Sequence, residues 1–190
     1  RFKSLSISTR LGLGFGCLLV LLIAVATVGQ LSLNKVHEQM RDITGTGAAK
    51  SKLVNGMLES VGSLGIQSRS SAMLNEIDPK QAQVQIQAVR KTLQDYAKQE
   101  TQLVELITPA TATAAETTLL QQVQEASKKA RPEIEGAMQS ADDGDTVAAS
   151  LNLMTRAAPA EALWRQRLAE LIAMQNSLND ETTASAEVTQ

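Results

Sequence analysis

The sequence predicts an all-α chain in which an apolar, membrane-spanning helix over residues 11–30 runs into an up-down-up-down antiparallel four-helix bundle over 31–190. Three observations carry this. Aromatic residues make up 2% of the 190 residues, which disfavours sheets, because strands lean on aromatic and β-branched side chains. The stretch LGLGFGCLLVLLIAVATVG, Leu11 to Gly29, holds no charged residue. Beyond it, apolar residues recur at alternating steps of four and three, the pattern of helices that share a core, with little Pro or Gly to interrupt them.

The apolar run comes first in the chain, and about 20 such residues at ~1.5 Å each match the thickness of a bilayer core. Arg1, Lys3 and Arg10 precede it and polar Gln30, Ser32 and Asn34 follow it. The positive-inside bias then predicts residues 1–10 in the cytoplasm and everything past 30 outside. A cleaved signal peptide is the competing reading, with Ala24-Val25-Ala26 as a small-x-small cleavage pattern. A lipoprotein reading through Gly16-Cys17 fits less well, since the apolar residues mostly follow that cysteine instead of preceding it.

The helices beyond are expected over about 31–76, 79–107, 114–142 and 145–188. Asn75 to Pro79 is the first break, with Asp78 as a cap and Pro79 in the first helical turn. Ala82, Ile86, Val89, Leu93, Tyr96, Glu100, Leu103 and Ile107 then form a seam with one charged interruption. Thr108 to Thr113 is a loop by composition. Leu120, Val123, Ser127, Ala130, Ile134, Ala137 and Ala141 take up the spacing again, and Pro132 within them predicts a local kink or a lost backbone hydrogen bond. Asp142-Asp143-Gly144-Asp145 is a turn whose last residue can cap the fourth helix, whose seam reads Trp164, Leu168, Leu171, Gln175 and Leu178. Helix lengths of roughly 69, 43, 43 and 66 Å follow at ~1.5 Å per residue. A long-short-short-long order puts the 77–79 and 142–145 turns at the far tip and the Pro109 loop at the membrane side.

Composition excludes several functions. A formal net charge of −2 without a block of like charge gives no footprint for nucleic acid. Cys17 and His37, each the sole residue of its type, build neither a disulfide framework nor a metal site, so no cofactor is expected. Glu59, Glu100 and Glu161 fall near or on seams, yet no nucleophile or orienting base accompanies them, and no enzyme is expected. The candidate site rests on arginines. Arg69, Arg90, Arg131 and Arg156 each lie 9 to 12 residues from a tip turn, within about 14–18 Å of it at helical rise. One guanidinium per helix in a shared layer suits a carboxylate ligand; the competing reading is surface arginines paired to Glu76, Glu133, Glu135 or Glu161. Tyr96 lies on a seam, where its hydroxyl needs a partner, either as pocket floor or as core.

These residues resemble the methyl-accepting chemotaxis proteins with a four-helix-bundle sensor, similar in architecture to the aspartate and serine receptors. The resemblance rests on the opening Leu5 to Gly16, Ser68-Arg69-Ser70, Ala130-Arg131-Pro132, Gly144-Asp145 and Ala157-Ala158-Pro159-Ala160, which fall in the family's order and together cover essentially the whole chain. It implies a bacterial inner-membrane homodimer packed along helix one, with a periplasmic domain that binds an organic acid or amino acid and signals across the membrane to control chemotaxis. It also implies that Arg69 grips the ligand carboxylate while Thr155, on helix four, binds from the other side. A second membrane helix, a HAMP segment and a methylated signalling hairpin are absent from the sequence and are expected past Gln190. The alternatives are the sensor of a histidine kinase or cyclase, or an anchored helical protein with a structural or partner-binding role.

Overall fold

The computed structural model describes residues 45–108 and 112–188, and Thr46–Gln190 form one compact unit. Helix α1 covers 45–74. It is followed by α2 (Pro79–Leu106), α3 (Ala114–Asp142), α4 (Thr146–Asn152) and α5 (Ala158–Val188), the last two joined by a π-helical turn, Leu153–Ala157, into one rod. Cross-helix bonds fix the topology. Ser60 pairs with Gln99 and Gln67 with Thr92, so α1 and α2 run antiparallel. Ser51 pairs with Asn179 and Arg69 with Glu161, so α1 and α5 do as well. The diagonal pairs, Lys50 with Glu116 and Ser71 with Met138 between α1 and α3, advance in parallel. This is an up-down-up-down four-helix arrangement.

Capping explains where the helices start. Asp78 accepts from the Gln81 amide at 3.1 Å and Pro79 occupies the first helical position, where its missing N–H costs nothing. Thr113 accepts from the Glu116 amide at 3.1 Å, and Asp145 from that of Ala148 at 2.9 Å. Gly144 takes φ +82 between α3 and α4, the left-handed conformation that a residue without Cβ adopts most cheaply.

The core is the set of seams. On α1 it runs Lys50, Val54, Met57, Val61, Leu64, Ser68 and Ser71, all buried. On α2 and α3 the buried positions keep the same alternation of four and three. The fourth rod breaks it once: Ala149, Leu153, Ala157 and Glu161 are spaced by four before Trp164, Leu168, Leu171 and Gln175 resume it. One residue too many has to be absorbed, and the π turn absorbs it. There the Ala158 amide reaches back five residues to the Leu153 carbonyl, while Pro159, next in line, has no N–H to give and its ring crowds the carbonyl four residues before. Pro132 lies inside a continuous α3, where its missing N–H costs the one backbone hydrogen bond expected there; the irregular turn lies ahead of Pro159.

The membrane-spanning expectation is corrected. No helix among the described residues is long and apolar enough to cross a membrane, and the 11–30 run lies outside them. The described helices differ from such a span in a physical respect: charged residues interrupt their apolar ones, as Lys80, Arg90, Lys91, Asp95 and Lys98 do along α2. The reading of an inner-membrane protein, membrane-embedded with a periplasmic domain and signalling through an N-terminal span, falls with it. What remains of the expected fold class is the all-α four-helix arrangement.

Candidate functional site

Three polar clusters interrupt the apolar core. Nearest the α2–α3 loop, Lys50 Nζ lies 3.0 Å from Glu116 Oε1, with side-chain exposures of 6% and 1%, and the Gln175 amide donates to the same oxygen. Glu116 is thus drawn away from the Thr113 cap, whose reciprocal capping-box arm it would otherwise supply. This cluster was missed from sequence; the one signal was Gln175 on a seam, a buried amide that demands a partner.

Midway along the bundle, Trp164 Nε1–H donates to Tyr96 Oη at 2.9 Å, and the rings meet edge to face with centroids 4.6 Å apart. Tyr96 and Trp164 are fully buried, so the bond satisfies two polar atoms that packing alone would orphan. One turn away lies Glu100, whose Oε1 is buried without a hydrogen-bond partner. Burial pushes the Glu100 carboxyl above its usual range, against the opposing pull of the Arg131 charge and of hydrogen bonds from Ser127 and Tyr96. Burial, and next the Glu100 charge, hold the Tyr96 phenol far above its ordinary value.

Nearer the tip, Arg69 Nη2 meets Glu161 Oε2 at 3.2 Å and its Nη1 donates to the Gly65 carbonyl at 2.8 Å. A Cβ at Gly65 would collide with the Glu161 carboxylate, so a residue without a side chain is what lets α1 and α5 hold this pair. Glu161 is still raised, because burial outweighs the charges of Arg69 and Arg165.

The six predicted site residues therefore separate. Arg69 is engaged by Glu161, and Tyr96 by Trp164. Thr155 and Arg156 are exposed on the π turn, where the Thr155 hydroxyl donates to the Leu151 carbonyl at 2.7 Å. Counting put Arg156 level with Arg69, but Glu161, the residue opposite Arg69, is five positions further from the tip than Arg156. Arg90 and Arg131 do come together, on one groove of about 350 Å³ between α2 and α3, floored by Leu93 and Met138 and edged by Gln94, Glu135 and Gln139. Arg90 Nη2 also meets Asp142 Oδ2 at 2.9 Å; a hydrogen bond from Gln83, and next the one from Arg90, hold the Asp142 carboxyl below its usual range. Asp142 was not among the partners expected from sequence. Arg131 is half-buried and forms no ion pair among the described residues.

Two further grooves suit other chemistry: one at the tip, about 420 Å³, is edged by Glu76, Asp142 and Asp145, and one between α1 and α2, about 600 Å³, by Lys52 and Glu59. Among the described residues, no group of three or more His, Cys, Asp or Glu is placed to hold a metal ion.

A search of curated proteins found no match to this chain. Residues 4–189, however, match the family described as a four helix bundle sensory module for signal transduction, a sensory function with no catalytic step. A bundle of four amphipathic rods, a core built from alternating seams and a match over nearly the whole length agree, and the chain belongs to the family of four-helix-bundle sensory modules for signal transduction.

Proposed function

We propose that this chain is a ligand-binding sensory module of the chemoreceptor type, which takes a small anionic ligand, an organic acid such as a di- or tricarboxylate or an amino acid, in the groove between α2 and α3. The observation that carries the reading is the convergence of Arg90 and Arg131, from two helices, on one groove with an apolar floor. A carboxylate gains charge-assisted and potentially bidentate hydrogen bonds from a guanidinium, and Leu93 and Met138 offer contact to a short carbon chain between two such groups. Gln94 and Gln139 add donors at the rim. Arg69, Thr155, Arg156 and Tyr96 take no part in this reading, because none of them lines that groove. Signalling requires that the ligand bind two arrangements of the bundle unequally, and a molecule bridging α2 and α3 does so wherever the spacing of its two arginines differs between them.

The test is isothermal calorimetry on the full chain against a panel of dicarboxylates, tricarboxylates and amino acids. A binder is expected whose affinity falls at least tenfold in both Arg90→Ala and Arg131→Ala, and which raises the melting temperature in proportion to its saturation. Silence across the panel, or binding indifferent to both substitutions, rejects the groove.

A further inference from the structure

We infer that an anion binding in the α2–α3 groove is accompanied by uptake of one proton at Glu100, the carboxylate that shares Arg131 with the groove. The inference rests on the groove reading above and adds its regulation. Glu100 occupies a seam position of α2 between Tyr96 and Leu103, and one of its carboxylate oxygens is sealed from solvent with no donor. The groups that face it are few. Tyr96 comes from its own helix, and Ser127 and Arg131 come from α3. From α5 comes Trp164, whose N–H already occupies the Tyr96 oxygen and so leaves the phenolic proton free to be donated. The titratable residue of α1 at this height, Glu59, is exposed on a different groove beside Gln99. Arg131 is therefore the cation that offsets a charge on Glu100, and the same Arg131 lines the ligand groove.

Two anions then share the field of one guanidinium. Arg131 makes no direct ion pair with Glu100, and its charge acts on that carboxylate through space. A ligand carboxylate seated against Arg131 adds a negative charge that cancels this field while the burial of Glu100 is unchanged, and a proton from solvent adds to the Glu100 carboxylate. The balance is ligand anion plus one proton plus protein, with no other co-reactant. Burial already holds Glu100 above the ordinary carboxylate range in the free protein, and the charge of the ligand raises it further. Linkage fixes the sign: a complex that holds more protons than its parts is favoured as pH falls. Affinity is expected to tighten by up to about tenfold for each pH unit lowered within the window between the free and bound values, the limit for a single linked proton.

The experiment is calorimetric titration of the full chain with succinate, ionised at pH 7, in Bis-Tris and in Tris, cationic buffers that absorb different heats when they give up a proton and do not compete for the arginines. The expected result is a binding heat that differs between the buffers in the sense of proton uptake, and an affinity that rises from pH 7.5 to 6.5. Glu100→Gln, which keeps the shape and removes the proton site, is expected to bind succinate more tightly at pH 7 with the same heat in both buffers. No binding of succinate rejects the groove reading and the coupling together. Binding with equal heats in the two buffers, or with a buffer difference that persists in Glu100→Gln, rejects the coupling and leaves the groove standing. The two-buffer comparison needs no variant, so a Glu100→Gln protein that failed to fold would not protect the proposal.

Discussion

The buried cluster of Lys50, Glu116 and Gln175 offers the sharpest perturbation, because almost nothing about it is shared with solvent. Its charged members are exposed by 6% and 1% and lie 3.0 Å apart, on diagonal helices that approach only through the core. Replacing Lys50 with Met removes the cation, keeps most of the volume and leaves Glu116 charged and dry. Breaking a buried pair in this way costs about 3–5 kcal/mol. At about 2–4 °C per kcal/mol for a chain of this size, the melting temperature falls by roughly 6–20 °C. Replacing the whole set, Lys50→Met with Glu116→Leu and Gln175→Leu, removes every desolvated polar group at once, and such exchanges are often neutral or stabilising by about 1–4 kcal/mol. The triple variant is therefore expected to regain most or all of what the single one loses. Urea unfolding at pH 7, followed by circular dichroism at 222 nm, measures both. A Lys50→Met protein within about 0.5 kcal/mol of the parent would refute the idea that the pair is desolvated. A triple variant no more stable than the single one would show that packing, and not the stranded charge, sets the cost.

Other consequences can be measured alongside. Trp164→Phe strips the donor from the fully buried Tyr96 hydroxyl and is expected to cost at least about 1–3 kcal/mol, with Tyr96→Phe costing a comparable amount because the indole N–H is orphaned in turn; additive losses in the double variant would argue against a direct bond. Deleting Thr155 together with Pro159→Ala removes the surplus residue and the imino acid at the π turn, and the chain is expected to fold with an unbroken α-helix there, seen as slower amide exchange over residues 153–158. An unfolded product would mean that the extra residue is not what the π turn accommodates. The two ion pairs near the tip respond to pH with opposite sign. Asp142 is held below its ordinary value by Gln83 and Arg90, so its stabilisation is present at neutral pH and lost as pH falls through the folded value. Glu161 is raised by burial beyond what Arg69 and Arg165 offset, so the folded state binds its proton more tightly and stability declines as pH rises through the window between the unfolded and folded values. Asp142→Asn is expected to lower the melting temperature at pH 7 and not in acid, and Glu161→Gln to raise it at pH 7 and not in acid; the reverse pattern in either would overturn its assignment.

Much of the scaffold was legible in the sequence because its signals are local. Seam spacing named the core of α2 and α3 nearly residue for residue, and Asp78, Pro79, Gly144 and Asp145 announced the two turns through backbone chemistry that depends on immediate neighbours alone. The fourth rod shows where this stops. A four-four-four run from Ala149 to Glu161 is visible in the sequence, but reading it as a π turn requires knowing that the rod must stay in register with three others. The site was less legible still. Counting heights from the tip treats helices as equal rods that start level, and it grouped four arginines; the actual stagger brings Asp142 to Arg90, sets Arg156 nearer the tip and leaves Arg90 and Arg131 as the converging pair. Lys50 with Glu116 was out of reach because a charged residue at a seam position reads as the place where the apolar stripe ends, and only their diagonal partners explain their burial. The apolar 11–30 run, read from composition as a membrane helix, has no counterpart among the described helices, none of which is long and apolar enough to cross a membrane.

The reading of this bundle as a sensor turns on whether Arg90 and Arg131 take up a ligand from opposite walls of one groove. Nitrogen-15 NMR of the guanidinium Nε–Hε resonances, assigned by Arg→Lys substitution and followed while an organic acid identified by calorimetry is added, asks this directly. The account predicts that the Arg90 and Arg131 signals shift together, saturating at one concentration, while those of Arg69 and Arg156 stay near their free positions. Movement of Arg69 or Arg156 with Arg90 and Arg131 unchanged would place the ligand elsewhere and contradict it.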